Sequence, residues 1–411
     1  MKPVQVVGLG LGLQDVTPAM AAVIDQAEIL AGGRRLLDWF PNHQAPRLVL
    51  ETGLHSWLEK VAEAAKEMRV VVLASGDPGF FGVAGALRRR LGSDLVRVMP
   101  NVSAMQAACA RLNLSWDHAA HVSLHAGGDD LSTLWRAMSS ADLVSVYTRP
   151  GLGPKELAVA LHERGINNWH MHILQALGSQ HELVDSFSPS EAMGRDFSAL
   201  SVVLLQRTGL ASPLSMGMPE DDYLHEGGLI TKAEVRSVAL AKLALGPGMT
   251  LWDIGAGSGS LGLEAGLLMP GGRVVALERK PERIAVIRAN RAKFEMGMLE
   301  IVQGEAPAAL SDMPDPHRVF VGGGGKDLVP IVRACAQRLH PNGVMVVNAV
   351  LLQSLETARR AMREAGLIID ETLLQISRGR SVAGQTMMKA LNPVWLLRGR
   401  KPKGANQHDQ A

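Results

Sequence analysis

An acid at the end of a short apolar run, glycines at alternate positions and a second acid further on can hold a ligand that carries both positive charge and a sugar. Asp253-Ile254-Gly255-Ala256-Gly257-Ser258-Gly259 has that pattern, and Glu278 closes the next apolar run 19 residues after Gly259. Closely spaced glycines let a ligand reach the backbone amides, because no Cβ stands in the way. A G-x-G-x-x-G also fits at Gly257, Gly259 and Gly262, so a dinucleotide competes for the same loop. A pyrophosphate is doubly anionic and is repelled by a carboxylate at the start of the loop. S-adenosylmethionine brings a cationic amino group and a sulfonium, which Asp253 attracts, and its ribose hydroxyls suit Glu278. Asp253 therefore favours S-adenosylmethionine.

A second glycine loop, Gly8-Leu9-Gly10-Leu11-Gly12, follows the apolar run VQVVG (4–8). Alone it is a weak signal, since many strand–helix turns carry two glycines. Two companions strengthen it: Ser75-Gly76-Asp77-Pro78-Gly79-Phe80-Phe81-Gly82, and Met99-Pro100-Asn101-Val102-Ser103-Ala104. Each lies between an apolar run and an amphipathic segment, and Ser123-Leu124-His125 closes another run. Two loops of unlike signature suggest two separate cofactor pockets on one polypeptide, and so two related reactions.

The elements that must position these loops are short strands and helices in alternation. The chain has 411 residues, 47% hydrophobic and 20% charged, too long for one ordinary core. Strands are expected at 4–8, 69–74, 95–99, 121–125, 142–147, 171–177 and 200–205, with helices between them, for example 18–30 and 80–91. The Gly-, Pro- and Ser-rich stretch 207–222 reads as a linker. Beyond it, Thr231 and Glu234 form a T-x-x-E capping box, and the strands MTLWDI, RVVALE, LEIVQ, HRVFVG and GVMVVNAV follow. Two last extended runs, 367–377 and 386–397, have no helix between them and predict an antiparallel hairpin on a mostly parallel sheet. Domains are thus expected at 1–206 and 223–398, with a disordered tail over 399–411. No run of about 18 apolar residues predicts a membrane span, and no targeting segment is convincing. Cys109 and Cys335 lie far apart and fit no metal spacing, which points to the cytoplasm.

The motifs carry a family resemblance. The order of the first loop, SGDPGFFG and the segment through Ala104 resembles the tetrapyrrole methylase family, a two-lobed α/β (class III) fold, in its CbiE branch, over residues 1–206. Leu9, Asp77, Phe80, Ser103 and Ala104 would then line S-adenosylmethionine. The first loop lacks the family's usual proline, and Asn101 replaces a common glycine. Residues 220–398 resemble the Rossmann-like class I methyltransferases of the CbiT type, through GGLITKAEVR, DIGAGSGSLGLEA, VVALERKPE, GEAPAAL, VFVGGGG and VVNAV. That likeness implies cofactor contacts from Thr231, Asp253, Gly255, Ala256, Gly257, Ser258, Gly259, Glu278, Glu305 and Ala306. CbiE-like followed by CbiT-like is the layout of the CobL-type precorrin-6B C5,15-methyltransferases (decarboxylating) of cobalamin biosynthesis. It implies methylation at ring carbons 5 and 15, loss of the carboxylate from the carbon-12 acetate, formation of precorrin-8, and a homo-oligomer. The CbiT-type half is linked with carbon 15 and decarboxylation, the CbiE-type half with carbon 5.

A polycarboxylate substrate needs cationic anchors. Arg378, Arg380 and Lys389 flank the expected hairpin and are either such anchors or solvated charges. Asn348, ending the run VMVVN, either faces substrate or caps the next helix. His118, His121 and His125 lack a nearby Cys or acid to complete a metal set, and a substrate-facing His125 is the better reading. RNA methylation is the competing activity, since both folds also host RNA methylases. A net charge of +2, two tyrosines, and Val321-Gly322-Gly323-Gly324-Gly325 where an N-P-P-Y-like tetrapeptide would stand argue against it. The glycines there should open the rim to a large, flat substrate.

Overall fold

The computed structural model describes residues 1–51, 53–125, 131–210, 213–228 and 230–403. The chain groups into two compact units, residues 1–129, 141–158 and 169–207 in one, and 130–140, 159–168 and 208–411 in the other.

The first unit has two lobes. Strands β1 (Val4–Gly8), β2 (Ile29–Gly33), β3 (Arg47–Leu50), β4 (Val70–Ala74) and β5 (Val96–Met99) form an all-parallel sheet in the order β3-β2-β4-β1-β5. β4 is apolar and buried along its whole length, as a strand covered by helices on both faces must be. Gly8 pairs with Ala74 and Val7 with Met99, so the loops after β1, β4 and β5 leave one sheet edge side by side. The second sheet, β6 (Ala120–Ser123), β7 (Leu143–Tyr147), β8 (Trp169–Gln175), β9 (Leu183–Phe187) and β10 (Ser201–Arg207), is ordered β6-β7-β10-β8-β9, and its β6–β7 pair is parallel.

Several expected boundaries shift. The helix drawn over 18–30 ends at Asp25, and Ile29 to Gly33 pair with β3 and β4. Sheet pairing overrides a run whose composition suits a helix. The helix drawn from Phe80 starts at Ala84, because the SGDPGFFG loop continues to Val83 with Phe81 in the left-handed region. The strand drawn to His125 ends at Ser123.

The second unit is a seven-stranded sheet: β11 (Thr250–Ile254), β12 (Arg273–Glu278), β13 (Leu299–Gln303), β14 (Arg318–Val321), β15 (Val344–Ala349), β16 (Ile368–Leu374) and β19 (Val394–Arg400). The order is β13-β12-β11-β14-β15-β19-β16, parallel except for β19, which is antiparallel to both of its neighbours. The chain departs from β11 towards β12 on one side and returns beside it as β14, so the ends of these three strands bracket a switch point. The two extended runs expected at the C-terminus are four strands. A separate hairpin, β17 (Ser377–Val382) with β18 (Gln385–Ala390), interrupts the pair β16 and β19. Among the described residues, no helix is long and apolar enough to cross a membrane.

Three expectations for this half are corrected. The T-x-x-E box does not form: the helix Ala233–Leu243 has Lys232 as N-cap without a side-chain bond, and the Glu220 carboxylate accepts from the Ala233 N–H at 2.8 Å instead. Part of the stretch read as linker is packed. Gly217 N–H and the Tyr223 hydroxyl donate to Glu264, which also pairs with Arg236, and neither charged side chain is exposed. The tail is anchored at its start, where β19 runs to Arg400 and Lys401 Nζ donates to the carbonyls of Ala336, Gln337 and Leu339. The remainder of the expected tail, 404–411, lies outside the described residues.

Candidate functional sites

Three loops meet at the edge of the first sheet, and glycine makes the meeting possible. A Cβ on Gly8 would stand 2.6 Å from the Gly76 carbonyl oxygen and 2.8 Å from Pro78 Cδ. Gly76 N–H donates to the Gly10 carbonyl at 2.9 Å, both residues having left-handed φ near +60°. Asn101 ties the third loop to the first: its Nδ2 donates to the carbonyls of Gly8 and Asp15, each at 2.9 Å, and its Oδ1 accepts from Val102 N–H. The asparagine that departs from the family pattern therefore bonds where a glycine could not.

Asp77 Oδ1 accepts from Gly79 N–H at 2.6 Å. Ser103 and Gln106 form a reciprocal capping box at the start of the helix Ala104–Leu112. The Tyr147 hydroxyl accepts from Met105 N–H at 3.0 Å, and burial raises its pKa, which keeps the phenol neutral. The Phe80 ring stands edge-on to His121 and Tyr147, with centroids 5.0 and 5.7 Å away. Burial lowers the His121 pKa, and its Nδ1 lies 2.8 Å from Ser145 Oγ.

A cavity of about 220 Å³ opens among these groups. Asp77, Phe80, Ser103, Ala104 and His125 line it, whereas Leu9 is fully buried in the core beside Val7 and Ile24. Gly10 and Leu11 take the wall position instead, and Arg35, Trp39 and Tyr147 join them. No motif drew attention to these last three, because they come from elements far apart in sequence.

In the second unit, Gly255, Gly257 and Gly259 all have φ between +59° and +75°, a conformation that a side chain would strain. Asp253 is 1% exposed, the charged residue of a strand otherwise apolar apart from Thr250. Its Oδ2 accepts from Gly262 N–H at 3.2 Å, on the first turn of the helix Ser260–Leu267. Burial pushes its carboxyl up to about 7, and the charge of Glu278 adds to the shift. Glu278 accepts from Gly257 N–H through Oε2, and from Arg279 and Lys280 N–H through Oε1, at 3.0–3.1 Å.

A cavity of about 480 Å³ lies at this edge, and Gly255, Glu278, Glu305 and Ala306 line it together with Gly322 to Gly325. A Cβ on Gly323 would meet nothing within 4 Å, so this stretch presents bare backbone to the opening. Asp253, within β11, and Ala256, Gly257, Ser258 and Gly259 of the turn that follows do not line the cavity. Thr231 lies off the cavity, its carbonyl accepting from Arg236 Nη1 at 2.6 Å.

The residues fit S-adenosylmethionine. The Glu278 carboxylate borders the opening and suits a cationic ligand with ribose hydroxyls, and the Asp253 carboxyl already occupies a helix N-terminal amide that a pyrophosphate would need.

The expected substrate anchors part company. Arg378 is held by two carboxylates: Nη1 donates to Glu220 at 2.7 Å, and Nε and Nη2 donate to Glu234 at 2.9 and 2.6 Å. The guanidinium in turn holds the Glu220 carboxyl down at about 2. Arg378 therefore pins the β17–β18 hairpin rather than offering a free charge. Arg380 sits on the same exposed hairpin, opposite Met387. Asn348 is the last residue but one of β15, and its Oδ1 is buried and has no hydrogen-bond partner among the described residues.

Residues 3–187 match the family model of tetrapyrrole (corrin/porphyrin) methylases, and residues 221–401 match that of the precorrin methyltransferase domain. Fold and loops together define a S-adenosylmethionine-dependent methyltransferase. A precorrin-6Y C(5,15)-methyltransferase [decarboxylating] from Sinorhizobium sp is 33% identical, over 95% of this chain and 94% of that protein. The enzyme of the same name from Mycobacterium tuberculosis is 30% identical over 88% of this chain and 90% of its own length. A probable cobalt-precorrin-6B C(15)-methyltransferase (decarboxylating) from Pyrobaculum calidifontis is 40% identical over 44% of this chain and 94% of that protein. The chain belongs to the decarboxylating precorrin-6Y C(5,15)-methyltransferase family.

Proposed function

We propose that this enzyme methylates carbons 5 and 15 of a precorrin-6 ring and removes the carboxylate of the carbon-12 acetate, using one S-adenosylmethionine in each half. The observation that carries the two-site reading is the pair of separate glycine-built loops, each following a parallel strand of its own sheet and each bordering its own cavity. Residues 1–206 would act on carbon 5, and residues 223–398 on carbon 15 and the acetate. A relative of about half this length, named for carbon 15 and decarboxylation alone, supports that division.

Bound S-adenosylmethionine supplies an electrophilic methyl on a sulfonium. In the second half, Asp253 and Glu278 would hold the positively charged cofactor and its ribose, while Gly322 to Gly325 leave room for a flat ring. In the first half, Asp77, Phe80, Ser103 and Ala104 would form the cofactor wall. Placement of ring carbon and methyl in line can contribute on the order of 7–11 kcal/mol of the barrier, so most side chains act by positioning. Decarboxylation leaves an electron pair that the conjugated ring can accept.

We further propose a cytoplasmic homo-oligomer that acts on a small molecule and not on nucleic acid. Both cysteines are free and buried, and the net charge of +2 gives no electrostatic argument for a nucleic-acid partner. RNA methylation has no support among the family models and relatives.

Asp253→Ala tests the site assignment. It should halve the calorimetric S-adenosylmethionine stoichiometry, and mass spectrometry should then find a product with one added methyl and its carboxylate retained. Two equivalents still bound would remove the second site as described.

A further inference from the structure

The first cavity carries a cation that its surroundings do not neutralise. Arg35 and Trp39 both line it, with Arg35 Cζ 5.8 Å from the centroid of the Trp39 ring. The neighbouring arginines are occupied: Arg34 pairs with Glu51, and Arg47 pairs with Asp38 at 3.6 Å and donates to the Phe40 carbonyl. Arg35 is exposed and has no carboxylate partner among the described residues. Leu200, also on the cavity wall, is 54% exposed. A free guanidinium, a half-buried indole and an exposed leucine thus share one opening. That combination suits a ligand with a broad apolar face and a carboxylate at its edge. The cavity itself, at about 220 Å³, is too small to enclose a macrocycle, so such a ligand would lie across its mouth, where Arg35 stands.

We infer that Arg35 binds a peripheral carboxylate of the tetrapyrrole while Trp39 covers part of the ring face, and that the pair determines substrate binding for the reaction of the first half. The inference rests on the reading that this half methylates carbon 5. Arg35 touches no reacting atom in this assignment and is a binding residue.

The test uses full-length enzyme, precorrin-6Y and 13C-methyl-labelled S-adenosylmethionine. Arg35→Ala should raise KM for carbon-5 methylation by roughly tenfold or more, leaving carbon-15 methylation and the calorimetric S-adenosylmethionine affinity within about twofold. At low substrate the product should carry label at carbon 15 and little at carbon 5. Arg35→Lys should recover part of the loss, since it keeps the charge without the planar fork, and Trp39→Ala should raise the same KM. Unchanged KM in Arg35→Ala with both carbons labelled would overturn the inference and leave the proposed activity standing. Weakened S-adenosylmethionine binding with unchanged precorrin KM would overturn it too, assigning Arg35 to the cofactor's carboxylate. A wild-type enzyme that left carbon 5 unlabelled would overturn both readings.

Discussion

Charging Asp253 costs the ligand-free fold stability. Its carboxyl is buried and its pKa is raised to about 7, above the ordinary value for Asp. The folded state therefore prefers the protonated form. The stability that this preference supplies is complete below the unfolded pKa of about 4 and is lost as pH rises through 7. Asp253→Asn removes the cost while keeping an oxygen for Gly262 N–H. We expect it to raise the Tm of the ligand-free protein by roughly 2–8 °C at pH 8 and hardly at all at pH 4, while weakening S-adenosylmethionine binding. Calorimetry by scanning and by titration checks both halves, and a lower Tm at pH 8 would contradict the assignment. Arg378 shows the opposite economy, since its charge is spent inside the protein. The two carboxylates that hold it are 158 and 144 positions away in sequence, so nothing in the local pattern Arg378-Gly379-Arg380 could distinguish a clamp from an anchor.

At the scale of elements, that clamp joins the β17–β18 hairpin to the start of the helix Ala233–Leu243, where Glu220 also caps Ala233. Arg378→Ala leaves two carboxylates facing each other and should cost about 1–3 kcal/mol at pH 7. Arg378 holds the Glu220 carboxyl near 2, below its ordinary value. The stability from this pair is present above about pH 4.5 and lost as pH falls towards 2, so the difference between variant and wild type in urea unfolding should be held from about pH 7 to pH 5 and shrink between about pH 4.5 and pH 2.5. Precorrin KM should not change, whereas a free anchor would raise it. What the sequence made legible at this scale follows from burial. β4 was found because a parallel strand covered on both faces reads as an unbroken apolar run, and β1 and β11 as mostly apolar runs despite Gln5 in one and Thr250 and Asp253 in the other. β3 has four residues, β9 is mostly exposed, and β17 and β18 face solvent with arginine, lysine and methionine intermixed, so none left a periodic trace. The glycine loops were visible because positive φ restricts residue type. Arg35, Trp39 and Tyr147 were not, because a cavity wall collected from β7 and the segment after β2 has no spacing of its own.

For the whole molecule, the central question is whether each half holds a complete site. The first cavity is lined by residues of the first unit throughout, and the second by residues of the second. Each should therefore work when the other is disabled. Gly10→Val disables the first loop, because a Cβ at φ +60° would stand 2.5 Å from Asp15 Oδ2. Asp253→Ala disables the second. Neither full-length variant alone should add more than one methyl to precorrin-6Y, the former giving the decarboxylated single-methyl product and the latter the product with its carboxylate. Mixed in equal amounts, they should restore the doubly methylated ring, at a rate that rises with total enzyme concentration because the intermediate must cross solution. Mass spectrometry over time reads all three states. Failure of the mixture, with each variant still active on its own carbon, would mean that the ring must pass between sites of one polypeptide; failure of one variant on its own carbon would mean that its site borrows from the other half.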